Sequence, residues 1–467
     1  MIKADLCIIG AGSAGLSVAA GAAQLGRSVV LIEKGEMGGD CLNYGCVPSK
    51  ALLAAAAAAE DARQASKFGV RAEPVVDFAA VMAHVRGVIE TIAPVDSQER
   101  FEGFGVNVIR EKAAFIDHRT VKAGEHTIRA KHFVIATGSS PIIPPIDGLN
   151  TVEFETNETI FTQTTAPRHL VILGGGPIGV EMAQAHRRLG ADVTIIDAAA
   201  ILSREDAEAA ALVKERLTTE GVRLIENTAA AQVAQTGETS TVTLQTGDII
   251  SGDRLLVAVG RRANTAGLDL EKAGVKTNKQ GVVTDARLRT DNKRIYAAGD
   301  VAGGKQFTHV AGDHASTLVR NILFKTPAKR RDDLAPHATY CDPELASVGL
   351  TETAARENGE RITVSRWSFE ENDRAQAERR TDGFIKVVTR KNGVILGAAL
   401  VGKGAGDQIT AWAHAIANRQ KIGAFTKTIA PYPTRSEISK RAAGAFYTPT
   451  LFSARTRALV SVLSLFD

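Results

Sequence analysis

The chain has little of several things, and each shortage removes a class of protein. Only four of its 467 residues are cysteine, two are tryptophan, and aromatic residues make up 5%. So few cysteines over this length do not make a disulfide-braced secreted domain. A reducing, cytoplasmic setting is expected, where a stable structural disulfide is unusual. No run of lysine and arginine stands out, and 56 basic against 52 acidic residues leave a formal charge of +4. That balance argues against nucleic acid as a partner. No apolar run approaches the ~20 residues of a membrane-spanning helix. Met1 leads almost at once into the apolar "ADLCIIG", without the layout of a signal peptide. What is left is ordinary globular composition, 44% hydrophobic and 23% charged. The length suits roughly three domains.

What is present, first of all, is a repeated unit. "ADLCIIG" reads as a buried strand, "GAGSAG" as a tight turn, "LSVAAGAAQLG" as a small-residue helix and "SVVLIEK" as the next strand. Gly10, Gly12 and Gly15 fall on a G-x-G-x-x-G pattern, with Glu33 ending the second strand. In such a turn the glycines permit close approach of a pyrophosphate, and the helix N-terminus offers it N–H groups and a positive dipole end. Glu33 is then placed to accept from a ribose. The unit returns in "HLVILGGGPIGVEMAQAHRRLGADVTIID", with Gly174, Gly176 and Gly179 on the pattern and Asp197 in the acidic position. Each acidic residue stands 23 positions beyond its first glycine (33 − 10 and 197 − 174). One such pattern is weak; two in strand–turn–helix–strand context predict two bound dinucleotides.

The remaining segments set the organisation. "FVIATGSSPIIPPIDG" ends in a proline-rich crossover near residue 148, "RLLVAVGRRANTAGL" closes the second unit, and "RIYAAGDVAGG" is a buried strand stopping at Asp300. From about Pro336 strand-like stretches ("YCDPELASVGLTE", "FIKVVTR", "VILGAALVG") precede the helical "GDQITAWAHAIANRQ". The expected fold is α/β: two doubly wound, Rossmann-like domains followed by an α+β domain. The expected segments are 1–148 and 271–335 for the first dinucleotide domain, 149–270 for the second, and 336–467 for the last.

Cys41 and Cys46 share the stretch "GGDCLNYGCVPSK". A zinc site wants four ligands in tighter pairs, which neither this spacing nor ten scattered histidines offers, so no metal site is expected. A structural brace would close only a short loop, worth about 2 kcal/mol, inside a reducing cell. A redox pair remains. The helical pattern from Pro48 onward puts Cys46 at a helix start, where thiol pKa falls. Five residues along a regular helix rise ~7.5 Å, more than a disulfide tolerates, so the segment must bend, and Gly45 supplies the freedom. Lys50 lies one turn beyond Cys46 on the same face. Cys7, inside the first strand, reads as a small core residue, and Cys341 as part of a strand opening the last domain.

With the two glycine fingerprints, "GGDCLNYGCVPSK" resembles the pyridine nucleotide-disulfide oxidoreductases, in particular the branch holding dihydrolipoamide dehydrogenase and mercuric reductase. The likeness spans essentially the whole chain. It implies that the first fingerprint binds FAD and the second a nicotinamide nucleotide, with Asp300 on the FAD ribityl chain. It implies an ion pair of Lys50 and Glu181 near the flavin, and a hydride path from NAD(P)H to flavin to the Cys41–Cys46 disulfide. Cys46 would face the flavin and Cys41 the substrate. Gly138, Gly260 and His309 are expected beside the cofactors, although His309 and His314, which follow the flavin-binding segment, each read more readily as a hydrogen-bonded structural histidine than as pocket lining. Asp197 favours NAD(H) over NADP(H) by repelling a 2′-phosphate, unless Arg204 in the following loop folds back to offset it. The last domain is expected to assemble a homodimer with shared active sites.

The resemblance fails at one residue and one segment. Relatives carry His-Pro-Thr-x-Ser-Glu near the C-terminus, the histidine serving as acid/base for the dithiol. Here the stretch is "YPTRSE", with Tyr432 in place of histidine and Glu437 kept. An unperturbed phenol titrates near ~10 and is a poor proton shuttle at neutral pH. Dihydrolipoamide oxidation is therefore put in doubt, and Glu437 is expected to hydrogen-bond the Tyr432 hydroxyl. A cis Tyr432–Pro433 bond is implied. Tyrosine here resembles mercuric reductase, but that enzyme's C-terminal cysteine pair has no counterpart, because no cysteine follows Cys341. The expected function is reduction of a small-molecule or protein disulfide, or another thiol-reactive acceptor. Mercuric-type metal reduction and dihydrolipoamide dehydrogenation are the enzyme alternatives, and a membrane-docked flavin redox sensor is the alternative outside enzymes. The tail, residues 451–467, is apolar around much of its circumference and suits either docking on the dimer or peripheral membrane contact.

Overall fold

The structure is a computed structural model and describes residues 1–466. β1 (Ile2–Ile9) is a near-continuous apolar strand because it lies in the middle of a parallel sheet, covered on both faces. It pairs on one side with β2 (Val29–Ile32), which continues to β3 (Asn107–Ile109). On the other side lies β6 (His126–Ile135), reached after the antiparallel strands β4 (Ala113–Asp117) and β5 (Thr120–Ala123). The strand Ile295–Ala297 also pairs with β6, so the segment carrying Asp300 returns to the first sheet. α1 (Ser13–Gln24) is built almost wholly of small residues, which lets another helix lie close: a Cβ at Gly21 would sit 3.2 Å from a Val319 methyl.

α2 (Gly39–Asn43) and α3 (Cys46–Gln64) follow, then α4 (Phe78–Ile92) and α5 (Gln98–Gly103). The stretch Phe78–Gly103 contains an 18-residue window that by length and composition is apolar enough to cross a bilayer. A 3₁₀ turn at Ala93–Asp96, holding Pro94, divides it, and Phe78, Met82, Val85 and Phe101 pack inward. In the second dinucleotide unit the strand His169–Leu173 pairs in parallel with Asp192–Ile196 and with Arg254–Val257. α6 (Pro177–Arg188) connects the first two of these.

By its contacts the chain forms two compact units, one of residues 1–63, 72–198 and 227–332, the other of residues 64–71, 199–226 and 333–467. The second unit centres on a five-stranded antiparallel sheet, ordered His337–Thr339, Leu345–Gly349, Ile395–Val401, Phe384–Arg390, Ile362–Ser368. α7 (Ala207–Thr219) belongs to this unit; Asp206 caps its N-terminus and receives the buried Lys386 ammonium at 2.9 Å. Trp412 is fully buried, stacked on Phe425 and donating to Ser439 Oγ at 3.0 Å. α8 (Thr308–Ile322) completes the helices of the first unit.

Cys7 is fully buried in β1, as expected of a core residue. Cys341 is not in a strand. It lies in the bend between His337–Thr339 and Leu345–Gly349, with its sulfur 3.2 Å from the Pro343 carbonyl, because the Asp342–Pro343 segment turns the chain there.

Candidate active site

The two glycine turns are the same object built twice. At the first, a Cβ on Gly15 would fall 1.8 Å from the Gly10 carbonyl oxygen; at the second, one on Gly179 would fall 1.9 Å from that of Gly174. Helix and turn touch backbone to backbone, so no larger residue fits. Gly12 and Gly176 stand at the N-caps of α1 and α6 without a side-chain cap, which leaves the first-turn N–H groups for an anion. The acidic residues brace these turns. The Ala11 N–H donates to Glu33 Oε2 at 2.6 Å, and the Gly175 N–H to Asp197 Oδ2 at 2.6 Å. The second Glu33 oxygen accepts from the Gly35 N–H at 2.7 Å, so part of its expected ribose-binding capacity is spent on the backbone. These cradles fit the pyrophosphates of two dinucleotides.

The dithiol segment is pressed against the first cradle. The Gly38 N–H donates to the Ala11 carbonyl at 3.0 Å, and a Cβ on Gly39 would meet Gly12 Cα at 2.7 Å. Cys41 lies in α2 and is half-buried; Cys46 is the first residue of α3 and is exposed. The bend between them occurs at Tyr44 and Gly45. Gly45 contributes space rather than unusual backbone angles: a Cβ there would meet Asp40 Oδ2 at 2.8 Å and the Asp40 carbonyl oxygen at 3.0 Å. The left-handed residues are Gly38 (φ 89°) and Gly39 (φ 62°).

The two thiols are unequal. Hydrogen bonding from Cys41 holds the Cys46 thiol down, to about 6, with help from Thr308 and the Lys50 charge against the opposing effect of burial. Cys41 is pushed far up, chiefly because its S–H donates to Cys46, then by burial. Cys46 is the thiolate and Cys41 the thiol that faces it. Thr308 Oγ1, at the start of α8, lies 3.5 Å from Cys46 Sγ. Lys50 reaches from α3 to the buried Glu181 of α6 at 2.7 Å, forming the expected ion pair.

A polar chain runs from the dithiol segment to Asp300. Asp40, next to Cys41, accepts from Arg261 Nη2 and Asn157 Nδ2, both at 2.9 Å. Arg261 Nε donates to Ser139 Oγ at 2.8 Å, and Ser139 Oγ donates to Asp300 Oδ2 at 2.5 Å. Burial raises the Asp300 carboxyl, with Ser139 and the Arg261 charge opposing. Gly138 (φ 66°) and Gly260 (φ 138°), next to Ser139 and Arg261, have positive φ values that residues with side chains rarely adopt. His309 is exposed and stacked on Phe307, ring centroids 5.3 Å apart. A mostly buried carboxylate beside a hydroxyl donor suits a hydroxyl-rich chain such as the FAD ribityl. Asp40, Ser139, Asn157, Arg261 and Thr308 went unread in the sequence. Asp40 and Arg261 carried a signal, as neighbours of Cys41 and Gly260. Thr308 carried none, being 262 residues from Cys46.

In the second unit Tyr432 is 70% exposed and the Tyr432–Pro433 bond is cis, as implied. Its hydroxyl does not pair with Glu437. It donates to Asp373 Oδ2 at 2.7 Å, while Glu437 opens the helix Glu437–Leu451 and binds Arg441 one turn on, at 3.0 Å. The i,i+4 pairing of that helix claims Glu437, and the Asp373 helix presents a carboxylate to the phenol instead. The Asp373 hydrogen bond and charge raise the Tyr432 phenol above its ordinary range. Tyr432 and Glu437 still border one groove of about 530 Å³.

Two dinucleotide cradles and a thiol–thiolate pair pressed against the first of them define an oxidoreductase that moves electrons between a nicotinamide cofactor, a flavin and sulfur. The chain belongs to the pyridine nucleotide-disulfide oxidoreductases: that family matches residues 4–315, and the family's dimerisation domain matches residues 335–443. The last domain is thus a dimerisation domain, and the homodimer follows. The chain is 39% identical over 454 residues to a mercuric reductase of Streptomyces lividans, covering 95% of this chain and 96% of that one. It is 35% identical over 459 residues to the dihydrolipoyl dehydrogenase of Geobacillus stearothermophilus, with 95% and 96% covered. Among solved structures, the Cu(II) complex of the HOCl-induced flavoprotein disulfide reductase RclA of Escherichia coli superimposes with a TM-score of 0.84 at 30% identity. That match covers 93% of this chain and 98% of the other.

Proposed function

We propose that this enzyme takes electrons from NADH, in preference to NADPH, and delivers them through Cys41 and Cys46 to a disulfide or another thiol-reactive acceptor. The flavin, when bound, accepts the hydride and passes two electrons on to sulfur. The residues assigned to it are Gly10, Gly12, Gly15, Glu33, Gly138, Asp300 and His309. Those assigned to the nicotinamide nucleotide are Gly174, Gly176, Gly179, Asp197 and Gly260. A carboxylate at Asp197 repels a 2′-phosphate, which supports NADH.

The observation that carries the reading is the inequality of the two thiols. A pair poised for delivery keeps one sulfur ionised and the other protonated until an acceptor arrives. The acceptor disulfide takes two electrons from the pair, a bond forms between Cys41 and Cys46, and two product thiols leave. The Cys41 proton and one proton from solvent complete them. Cys41 attacks, as the sulfur assigned to the acceptor side, after handing its proton to the Cys46 thiolate or to solvent. In the homodimer the partner subunit's Tyr432 and the partner subunit's Glu437 finish the acceptor pocket. A phenol hydrogen-bonded to Asp373, with its proton held more tightly than usual, positions an acceptor but does not draw protons from a dithiol. This counts against efficient dihydrolipoamide oxidation.

The test is steady-state NADH oxidation against a panel of disulfides, with anaerobic NAD⁺ reduction by dihydrolipoamide beside it. Native protein is expected to turn over a disulfide and to be slow with dihydrolipoamide. Tyr432→His is expected to raise dihydrolipoamide oxidation by at least about 10-fold, within the usual span of general-base effects. Fast native dihydrolipoamide oxidation, unchanged in Tyr432→His, would sink the assignment of Tyr432. Reduction of a soft metal ion is the second reading, favoured by the mercuric reductase relatives. Among the described residues no group of three or more potential ligands gathers, so such an ion would be held by Cys41 and Cys46 themselves. Metal-dependent NADH oxidation in the panel, lost in Cys41→Ser, decides for it.

The tail belongs to the same picture. Leu459, Val460, Val462, Leu463, Leu465 and Phe466 are each 53–84% exposed, just beyond the matched dimerisation domain. Deleting residues 451–467 is expected to weaken the homodimer, seen as a rise in its dissociation constant by sedimentation. An unchanged constant counts against docking of the tail on the dimer.

A further inference from the structure

One buried polar cluster has no part in the chemistry above. His314, in the middle of α8, has a fully buried side chain. Its Nδ1 accepts the Gly299 N–H at 3.1 Å. A ring nitrogen that accepts carries no proton, so the imidazole proton is on Nε2, which donates to Asp332 Oδ1 at 2.9 Å. Burial pushes the Asp332 carboxyl up, but the His314 hydrogen bond and the Arg330 charge outweigh it and keep the group ionised. Arg330 Nε lies 3.7 Å from the other Asp332 oxygen, and Arg330 Nη1 donates to the Ala302 carbonyl at 3.2 Å.

Gly299 and Ala302 are the first and last residues of the 3₁₀ turn that contains Asp300. The turn is gripped at its opening N–H by His314 and at its closing carbonyl by Arg330, and both grips converge on Asp332. It has little room to move sideways. Gly299 has φ +73°, and a Cβ there would sit 3.3 Å from Ala14 of α1 and 3.5 Å from Ala311 of α8.

We propose that Asp332, through His314 and Arg330, clamps the Gly299–Ala302 turn at both ends and so fixes Asp300 for the flavin. The proposal rests on the assignment of Asp300 to FAD. His314, Arg330 and Asp332 are positioning residues, which act on the cofactor only through the turn. Each link is specific: the clamp needs an acceptor facing Gly299, a donor facing Asp332, and a donor facing Ala302.

Asparagine and glutamine separate these demands. His314→Asn keeps an oxygen where Nδ1 stood and retains the bond to Gly299. His314→Gln keeps a nitrogen where Nε2 stood and retains the bond to Asp332, but loses the Gly299 acceptor. The experiment measures the FAD dissociation constant by recovery of flavin fluorescence, the flavin midpoint potential, and Tm of the FAD-free protein, for native protein, both variants and Arg330→Met. His314→Asn keeps the Gly299 acceptor but loses the donor to Asp332, so it is expected to weaken FAD binding measurably, though by less than His314→Gln. His314→Gln and Arg330→Met are expected to weaken it at least about 10-fold and to move the midpoint potential in the same direction as Asp300→Asn. The proposal is overturned if His314→Gln holds FAD as native does. It is also overturned if both His314 variants lose FAD equally and only in step with a lower FAD-free Tm, since that pattern marks a plain core histidine. A native protein that binds no FAD would instead overturn the flavin reading itself.

Discussion

Cys46→Ser is expected to lower NADH-driven reduction of a disulfide at least about 10³-fold, since an alcohol cannot replace a thiolate in exchange chemistry. Cys41→Ser should lose turnover to a similar extent, yet the two variants should differ in the reduced holoenzyme. With Cys46 present, the NADH-reduced protein is expected to show the long-wavelength absorbance of a thiolate facing the flavin. With Cys46 removed, that absorbance should vanish. The sign of its pH dependence follows from the environment of the thiol. Hydrogen bonding from Cys41 holds Cys46 down to about 6, so its charged form dominates above that pH and is protonated below it. The band should therefore persist well below the ordinary thiol range and fade through about pH 6. Removing the nearby ammonium in Lys50→Met should move the midpoint upward. Cys41→Ala, which leaves no donor at this position, should also move it upward, since the hydrogen bond from Cys41 is the largest of the lowering influences. A band that keeps its pH midpoint in both variants would mean that neither group sets the thiolate.

The second large effect separates the two cofactors. Gly15→Ala is expected to leave a protein without flavin, because its Cβ would lie 1.8 Å from the Gly10 carbonyl oxygen and must push α1 off the turn. Gly179→Ala places the same clash, 1.9 Å from the Gly174 carbonyl oxygen, in the other cradle. That variant is expected to purify yellow, to be reduced normally by dithionite, and to have lost roughly 5- to 150-fold in its rate of reduction by NADH. The estimate follows from an overpacking cost of roughly 1–3 kcal/mol at the turn. Rapid-mixing absorbance of the flavin measures the rate. If Gly179→Ala lost its flavin and Gly15→Ala kept it, the assignment of the two fingerprints would be reversed.

Much of this protein was legible along the chain because its signals are local. The paired fingerprints, with Glu33 and Asp197 each 23 residues past the first glycine, depend on one turn and the helix that follows it. The break at Tyr44 and Gly45 and the helix starting at Cys46 follow from spacing and from the glycine between them. Lys50 and Glu181 were found through resemblance to a family, not through proximity in sequence. The reading went wrong where partners had to be chosen at a distance. Glu437 is five residues from Tyr432 and looked like its partner, but the helix it opens offers Arg441 one turn away. Asp373, 59 residues earlier, takes the phenol instead. Cys341 looked like part of a strand and lies in a bend.

The sequence by itself determined the class of fold, the two dinucleotide cradles and the sulfur pair. A glycine pattern or an apolar strand has its meaning within one supersecondary unit, whatever the rest of the chain does. Only the tertiary structure decided which distant group helps to ionise Cys46, which carboxylate holds Tyr432, and how the Asp300 turn is gripped. Each of these depends on donors and charges brought together from segments far apart, at distances of about 3 Å where a hydrogen bond either exists or does not.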